Sequence, residues 1–97
     1  MSKRTIRWSK RASRRLDQIG TVIAEDNPLA AARVVARLSL AVEALADHPA
    51  IGRVGRIAGT RELVFANIPY LIPYRVSAND ILILTILHGA QKRLDEI

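Results

Sequence analysis

The chain has 97 residues, a length that fits one small domain spanning residues 1–97. Its residues are 49% hydrophobic and 25% charged, which excludes a disordered or collagen-like chain, and it has no Cys for disulfides or thiolate metal sites. Fifteen Lys and Arg against nine Asp and Glu give a formal net charge of +6. Most of the cations are Arg, whose forked donors suit phosphate and carboxylate, so we expect a nucleic acid or an acidic protein as partner.

The first predicted elements are a short strand and a helix. Residues Thr5–Ser9 alternate polar and apolar types, which is typical of a strand. Ser9 is placed to cap the following helix, because its side-chain oxygen can accept a hydrogen bond from a helix N–H. Apolar residues at spacings of three and four then mark one helix face: Ala12, Leu16, Ile19 and Ile23. We expect the helix to end near Asp26.

A second helix is predicted from Asn27-Pro28, with Asn27 as cap and Pro28 as its first residue. Apolar residues keep helical spacing as far as Leu45, and the many alanines favour a helix. His48-Pro49 ends it. Because so few residues join the two helices, we expect an antiparallel helical hairpin.

The second half of the chain predicts a loop and three strands. Residues Ala50–Thr60 combine three glycines with two arginines and predict a flexible basic loop. The strands expected after it are Arg61–Ala66, Tyr70–Val76 and Ile81–His88. Pro73 lies within the middle strand and has no N–H, so it predicts a bulge or an edge position there.

The element order β-α-α-β-β-β predicts an α+β fold, in which a small antiparallel sheet carries the helical hairpin on one face. Residues Ile81–Leu87 are apolar in both phases, which indicates a strand buried on both faces. Two helices cover only one face of such a sheet. Two explanations are open: a partner covers the second face, or the sheet curves and covers its own centre.

No segment predicts targeting or membrane insertion. The longest apolar run, Ile81–Leu87, is far below the ~20 residues of a membrane span, and Thr5–Ser9 is too short for the apolar part of a signal peptide. The sequence therefore favours a cytoplasmic protein.

Basic residues fall into two groups. The first lies within the first fifteen residues, which contain no acid, and forms either a phosphate-docking surface or a solvated helix face. The second group comes from the glycine-rich loop and the strands after it, and we treat it as a candidate target-binding set, with a structural role equally open: Arg53, Arg56, Arg61 and Arg75.

Metal-independent RNA cleavage requires a general base, a general acid and cations beside the phosphate. His88, at the end of the last strand, can act as acid or base, whereas His48 at a helix end is expected to be structural. The full candidate catalytic set, if the protein is a ribonuclease, is Arg61, Glu62, Arg75 and His88. Two remote histidines without ligand-spaced carboxylates predict no metal site, and no cofactor is expected.

Six short motifs follow one another in order along almost the whole chain: Asn27–Ala31, Leu45 with Pro49, Gly52-Arg53, Arg61–Leu63, Tyr74–Val76 and Ile86–His88. Together they resemble the RelE/ParE toxin superfamily, the toxin halves of bacterial type II toxin–antitoxin pairs. RelE-like members of that superfamily cut messenger RNA on the ribosome, and ParE-like members inhibit DNA gyrase.

RelE-like catalytic sets usually place an Arg directly after the aromatic residue that opens the penultimate strand. They often also have a Tyr or His near the C-terminus. Here Leu71 follows Tyr70, and no Tyr comes after Tyr74, although His88 resembles the terminal His of some RNA-cleaving members. The resemblance therefore favours a ParE-like toxin that inhibits DNA gyrase. The alternative is a RelE-like, metal-independent, ribosome-dependent mRNA endoribonuclease.

The resemblance also implies a partner. Antitoxins of this superfamily wrap the toxin with an extended or helical segment that is often acidic, which fits the charge of +6 and the doubly apolar strand. It further implies a hetero-oligomer with the antitoxin, growth inhibition by the free toxin and a role in plasmid stabilisation.

Overall fold

A computed structural model describes residues 3–89, so both ends of the predicted domain lie outside the described residues. The elements are β1 (Thr5–Trp8), α1 (Lys10–Asp26), α2 (Pro28–Ala44), β2 (Arg53–Val54), β3 (Arg61–Val64), β4 (Tyr70–Val76), β5 (Asp80–Ile83) and β6 (Leu87–His88). Within this part of the chain, neither helix is long and apolar enough to cross a membrane. The predicted α+β class is confirmed.

The six strands form one mixed sheet in the order β1-β5-β4-β3-β2, and β6 also pairs with β4. The strands after the helices pair antiparallel, as predicted. The expectation of a wholly antiparallel sheet was wrong, because β1 lies parallel to β5, from Thr5 opposite Asp80 to Trp8 opposite Ile83. Parallel neighbours need a long crossover, and here the chain between β1 and β5, which contains both helices, provides it.

Both helices begin at the predicted caps. The Ser9 side chain accepts a hydrogen bond from the N–H of Ala12 at 2.9 Å, and the Asn27 side chain accepts one from the N–H of Ala30 at 3.0 Å. These bonds satisfy N–H groups that have no partner within the helix. Asn27 also closes α1, because its own N–H donates to the Ile23 carbonyl at 2.9 Å.

The last predicted strand is divided in two. Along β4, Tyr74 lies opposite Ile83 and Tyr70 opposite His88, so the β5–β6 side has one residue more than β4 between these pairs. That extra residue makes a bulge. The predicted single strand Ile81–His88 is therefore interrupted between β5 and β6.

Pro73 accounts for the position of this bulge. Its carbonyl accepts a hydrogen bond from the N–H of Leu84 at 3.0 Å. In an antiparallel strand, a residue's carbonyl and N–H point to the same neighbour, so the missing N–H of Pro73 also faces the β5 side. Regular pairing cannot continue past it. Of the two arrangements predicted from this proline, a bulge or an edge position, the structure shows a bulge, with the extra residue on the β5–β6 side.

The hydrophobic core lies between the helical hairpin and one face of the sheet. It includes the fully buried side chains Leu38, Val42, Leu45, Ile72, Tyr74, Ile81 and Ile83. We refer to this face as the covered face and to the other, on which the helices do not pack, as the open face; Glu62, Leu71 and Pro73 on the open face are nevertheless buried. Leu82 lies between Ile81 and Ile83 in β5, points to the open face and is 36% exposed. The prediction that this strand is buried on both faces is therefore wrong at Leu82.

The stretch predicted as a flexible loop is more ordered than expected. It contains β2, which pairs with β3 through Arg53 opposite Glu62 and Val54 opposite Arg61. The N–H of Gly55 donates to the Thr60 carbonyl at 2.8 Å, which continues the ladder beyond β2. A strand of two residues is too short to show a periodic pattern, so the sequence did not reveal it.

Candidate functional site

Three of the predicted site residues meet at one carboxylate. Glu62 has no exposed surface, and its Oε1 accepts hydrogen bonds from Arg53 Nε at 3.2 Å and Arg53 Nη2 at 2.9 Å. Its Oε2 accepts from the Arg56 Nε at 3.2 Å and from the Arg56 backbone N–H at 3.3 Å. The Arg53 side chain is 54% exposed and that of Arg56 is 32% exposed. One buried anion therefore holds two partly exposed cations.

The charge of Glu62 is maintained by these contacts. Burial by itself raises the pKa of the Glu62 carboxyl, but the hydrogen bonds from Arg53 and Arg56 outweigh burial, and its pKa lies below the ordinary value. Glu62 is thus a carboxylate at neutral pH with both oxygens engaged. Together, Arg53, Arg56 and Glu62 have a net charge of +1.

Arg75 lies on the same open face as Glu62. Glu62 is opposite Pro73 in the β3–β4 register, and Arg75 is two residues further along β4. Its Nη1 donates to the carbonyl of Ala58 at 3.4 Å. Gly59 has a φ of +79°, and an added Cβ there would come within 3.0 Å of Arg75 Nη1. A glycine at this turn thus lets Arg75 rest against the loop that contains Arg56.

Arg61 is separated from this group because it lies on the covered face. It is opposite Tyr74 in the register, and its Nη1 donates to the Gly52 carbonyl at 2.9 Å and to that of Ala50 at 3.4 Å. Burial raises the pKa of the Tyr74 hydroxyl, although the Gly52 N–H and the Arg61 charge oppose that shift. Through its hydrogen bonds to the Ala50 and Gly52 carbonyls, Arg61 holds the start of the loop against β3.

His88 lies at the other end of the sheet, in a second candidate site. It meets Tyr70 edge to face, with ring centroids 5.5 Å apart and an angle of 88° between the ring planes. Arg15 reaches the same place from α1, where its Nε donates to the Ile86 carbonyl at 3.0 Å. A cleft of about 330 Å³ lies here, lined by Arg15, Gln18, Ile19, Val22, Ile23, Tyr70, Ile86 and His88.

The four predicted catalytic residues do not form one constellation. Arg61 is opposite Tyr74 and His88 is opposite Tyr70, so four residues of β4, about 13 Å, separate the two along the strand. They also lie on opposite sides of β4. Glu62 and Arg75 share the open face, away from Arg61. Among the described residues, no cluster of three or more His, Asp or Glu side chains could hold a metal ion.

Three of the N-terminal basic residues contact groups of the protein itself. Lys3 lies 3.6 Å from the Asp47 carboxylate, and Arg7 lies 3.6 Å from that of Asp80. The Arg4 Nε donates to the Ser77 carbonyl at 2.9 Å. Each of these three cations thus has a different partner, and only Arg7 lies within β1.

Sequence reasoning missed the contributions of Tyr70 and Arg15 to the His88 cleft. Arg15 lies off the apolar stripe of α1, and that spacing predicts a position on the solvent side of the helix. The edge-to-face contact between Tyr70 and His88 depends on the β4–β6 register, which the bulge shifts by one residue. A local sequence pattern does not reveal such a shift, because register is set by pairing between strands that are distant in the chain.

Comparison with known proteins identifies the family. Residues 6–93 match the family model described as the ParE toxin of the type II toxin–antitoxin system, parDE. The protein Y4kP of Sinorhizobium fredii is 61% identical over 92 residues, 95% of each chain. Toxin RelE2 of Caulobacter vibrioides is 39% identical over 84 residues, which are 87% of this chain and 93% of that protein.

Solved structures agree with this family. The chromosomal ParDE TA system from P. aeruginosa superposes with a TM-score of 0.78 at 26% identity, over 89% of this chain and 96% of that one. The toxin–antitoxin complex RelBE2 from Mycobacterium tuberculosis shares the fold, with a TM-score of 0.66 at 22% identity over 89% and 98% of the two chains. The predicted superfamily is confirmed: the chain belongs to the ParE toxin family of type II toxin–antitoxin systems, within the RelE/ParE superfamily.

Proposed function

We propose that this toxin inhibits DNA gyrase through its basic loop and that a cognate antitoxin neutralises it in the cytoplasm. Membership of the ParE family supports this activity. The observation that favours gyrase inhibition over RNA cleavage is the dispersal of the predicted catalytic set over both faces and both ends of the sheet. A binding surface does not need a base and an acid within reach of one phosphate, whereas cleavage does.

Glu62 is poorly suited to be the base of a cleavage reaction. A general base needs an accessible carboxylate with a pKa near the working pH. Glu62 is fully buried, its two oxygens accept four hydrogen bonds, and its pKa is lowered. These features support a structural role for Glu62 and leave Arg53 and Arg56 as contacts for the target.

The exposed apolar side chains support an antitoxin partner. On the open face, Val64 is 55% exposed and Leu82 is 36% exposed. Such residues beside arginines offer a surface for a segment that is both apolar and acidic. The P. aeruginosa neighbour belongs to a ParDE pair, and by analogy this chain forms a hetero-oligomer with its own antitoxin.

The proposal is tested by adding the purified protein to a gyrase supercoiling reaction. We expect supercoiling to be inhibited, and expression in a bacterium to cause filamentation and an SOS response with intact transcripts. The double variant Arg53→Ala, Arg56→Ala is expected to lose inhibition. The matched control is Arg33→Ala, which removes an exposed arginine from α2, remote in sequence from the loop. Normal supercoiling at saturating wild-type protein would contradict the proposal.

A second candidate function is cleavage of messenger RNA on the ribosome, favoured by the cleft at His88. There an imidazole, a tyrosine and an arginine lie around one concave site, and these residue types can exchange a proton and stabilise a phosphate charge. In this case His88→Ala and Arg15→Ala, both in the cleft, should each abolish toxicity and transcript cleavage while antitoxin binding persists. If gyrase is the target, His88→Ala should leave toxicity almost unchanged.

A further inference from the structure

We propose that Glu62 is a positioning residue, which holds Arg53 and Arg56 together as a clamp for a phosphate group of the DNA on which gyrase acts. The proposal rests on the gyrase function proposed above and adds the ligand chemistry of the loop. Arg53, Arg56 and Glu62 are named the arginine clamp below.

The hydrogen bonds of the clamp leave donors for a ligand. A guanidinium has five N–H donors in a fixed fork. Glu62 takes two of them from Arg53 and one from Arg56. Both side chains are partly exposed, Arg53 by 54% and Arg56 by 32%. Because the two guanidiniums bind the two oxygens of one carboxylate, they are close enough to bind one phosphate jointly.

The buried carboxylate explains how two cations can lie together without a ligand. Two guanidinium ions side by side repel each other, and the anion between them offsets this repulsion. The loop also shapes the clamp, because Oε2 of Glu62 accepts from the backbone N–H of Arg56 as well as from its side chain. The geometry that a phosphate needs therefore exists before binding, which reduces the cost of ordering the side chains.

The charges around the clamp favour a phosphate backbone. Arg75 lies on the same open face and contacts the same loop at Ala58. Arg7, which also lies 3.6 Å from the Asp80 carboxylate, is opposite Leu82 in the β1–β5 register, and Leu82 is opposite Arg75, so these residues form a row across the face. The arginines thus extend across several strands. A strand of DNA presents phosphates at regular intervals and can meet such an extended set of cations.

The experiment measures binding of the purified protein to a short fluorescent DNA duplex as a function of salt, with no gyrase present. The variant Glu62→Gln raises the formal net charge of +6 by one. If charge alone governed binding, this variant would bind DNA more tightly. The clamp predicts the reverse: about ten-fold weaker binding and a salt slope reduced by about one, because the two arginines are no longer held on one phosphate.

A second variant keeps the charge and removes the fork. The double change Arg53→Lys, Arg56→Lys is expected to weaken DNA binding by a similar factor, since a lysine cannot make the forked contact. Arg33→Lys on α2 is the control and should bind as the wild type does. Circular dichroism and thermal unfolding of each variant show whether it is folded. If Glu62→Gln does not fold, DNA binding by the double variant Arg53→Lys, Arg56→Lys tests the clamp instead.

Several outcomes would overturn the clamp. They are tighter DNA binding by folded Glu62→Gln, unchanged binding by the lysine pair, or binding of a glutamate-rich peptide instead of the duplex, which would indicate an acidic protein segment as the ligand. Failure of the clamp alone would leave gyrase inhibition by the wild-type protein intact. Failure of the proposed function would abolish wild-type inhibition, whatever the duplex binding shows.

Discussion

Tyr74 and Gly52 contact each other so closely that neither can be changed alone without cost. The Tyr74 hydroxyl accepts a hydrogen bond from the Gly52 N–H at 2.9 Å and donates one to the Pro49 carbonyl at 2.8 Å. A Cβ at Gly52 would come within 2.6 Å of that hydroxyl and 2.8 Å of the Glu62 carbonyl oxygen. This contact holds the start of the basic loop, residues 50–60, against the middle of the sheet.

Gly52→Ala is therefore expected to destabilise the protein by about 1–3 kcal/mol, because the new methyl group overlaps backbone and a buried ring. Urea unfolding measures the effect. Gly20→Ala in α1 is the comparison, since its Cβ would meet only a Val35 methyl group at 3.1 Å and alanine favours the helix. Equal losses in the two variants would contradict the close contact at Gly52.

Tyr74→Phe should lower the free energy of unfolding by about 1–3 kcal/mol. The change keeps the ring in the core but leaves the buried Gly52 N–H without its acceptor. Tyr70→Phe removes a hydroxyl from the half-buried second tyrosine of the sheet and should cost less. If Tyr74→Phe unfolds at the wild-type urea concentration, the hydroxyl has no role in holding the loop.

Stability should fall in acid partly through Glu62. Its pKa is lowered in the folded protein, so the stabilisation it contributes is present above the unfolded value of about 4.3 and is lost as the pH falls through the lower folded value. The unfolding midpoint of the wild type, followed from pH 7 to pH 3, should therefore drop more steeply than that of Glu62→Gln. Parallel curves would exclude a contribution of this carboxylate.

Ser9→Ala should cost about 1–3 kcal/mol, because one hydroxyl makes two contacts. It accepts from the Ala12 N–H as the cap of α1 and donates to the Leu84 carbonyl at 2.8 Å beside the bulge. Ser13→Ala, an exposed change within α1, should be almost neutral. Thermal unfolding of the pair measures the difference, and a loss in both variants would point to a general effect on the helix.

The parts of the fold that short-range chemistry determines could be predicted. Ser9 and Asn27 bond N–H groups three residues away, and the missing N–H of Pro73 produces the bulge beside it. The superfamily also followed from short motifs in order. The parallel pairing of β1 was not predictable in this way, since β5 begins 72 residues after the last residue of β1 and no local pattern records which edge the first strand joins.

The candidate site, like the fold, could be predicted from the sequence only in part. The sequence selected Arg53, Arg56, Glu62, Arg61 and Arg75 by residue type and by their place in a glycine-rich basic stretch. It could not show which of them contact one another. Alternation along the predicted strand already puts Arg61 and Glu62 on opposite faces. Which residues of the neighbouring strands lie beside Glu62 depends on register, and pairing places Arg53 and Pro73 opposite it.

By itself, then, the sequence determined the helices, their caps, the bulge and the family of this toxin, because each depends on groups a few residues apart or on motif order. The tertiary structure alone decided that Glu62 is a buried anion between two arginines and that His88 meets Tyr70 instead of the arginine loop. Strand pairing brings together residues that are distant in the chain, and a shift of one residue changes the face on which a side chain lies.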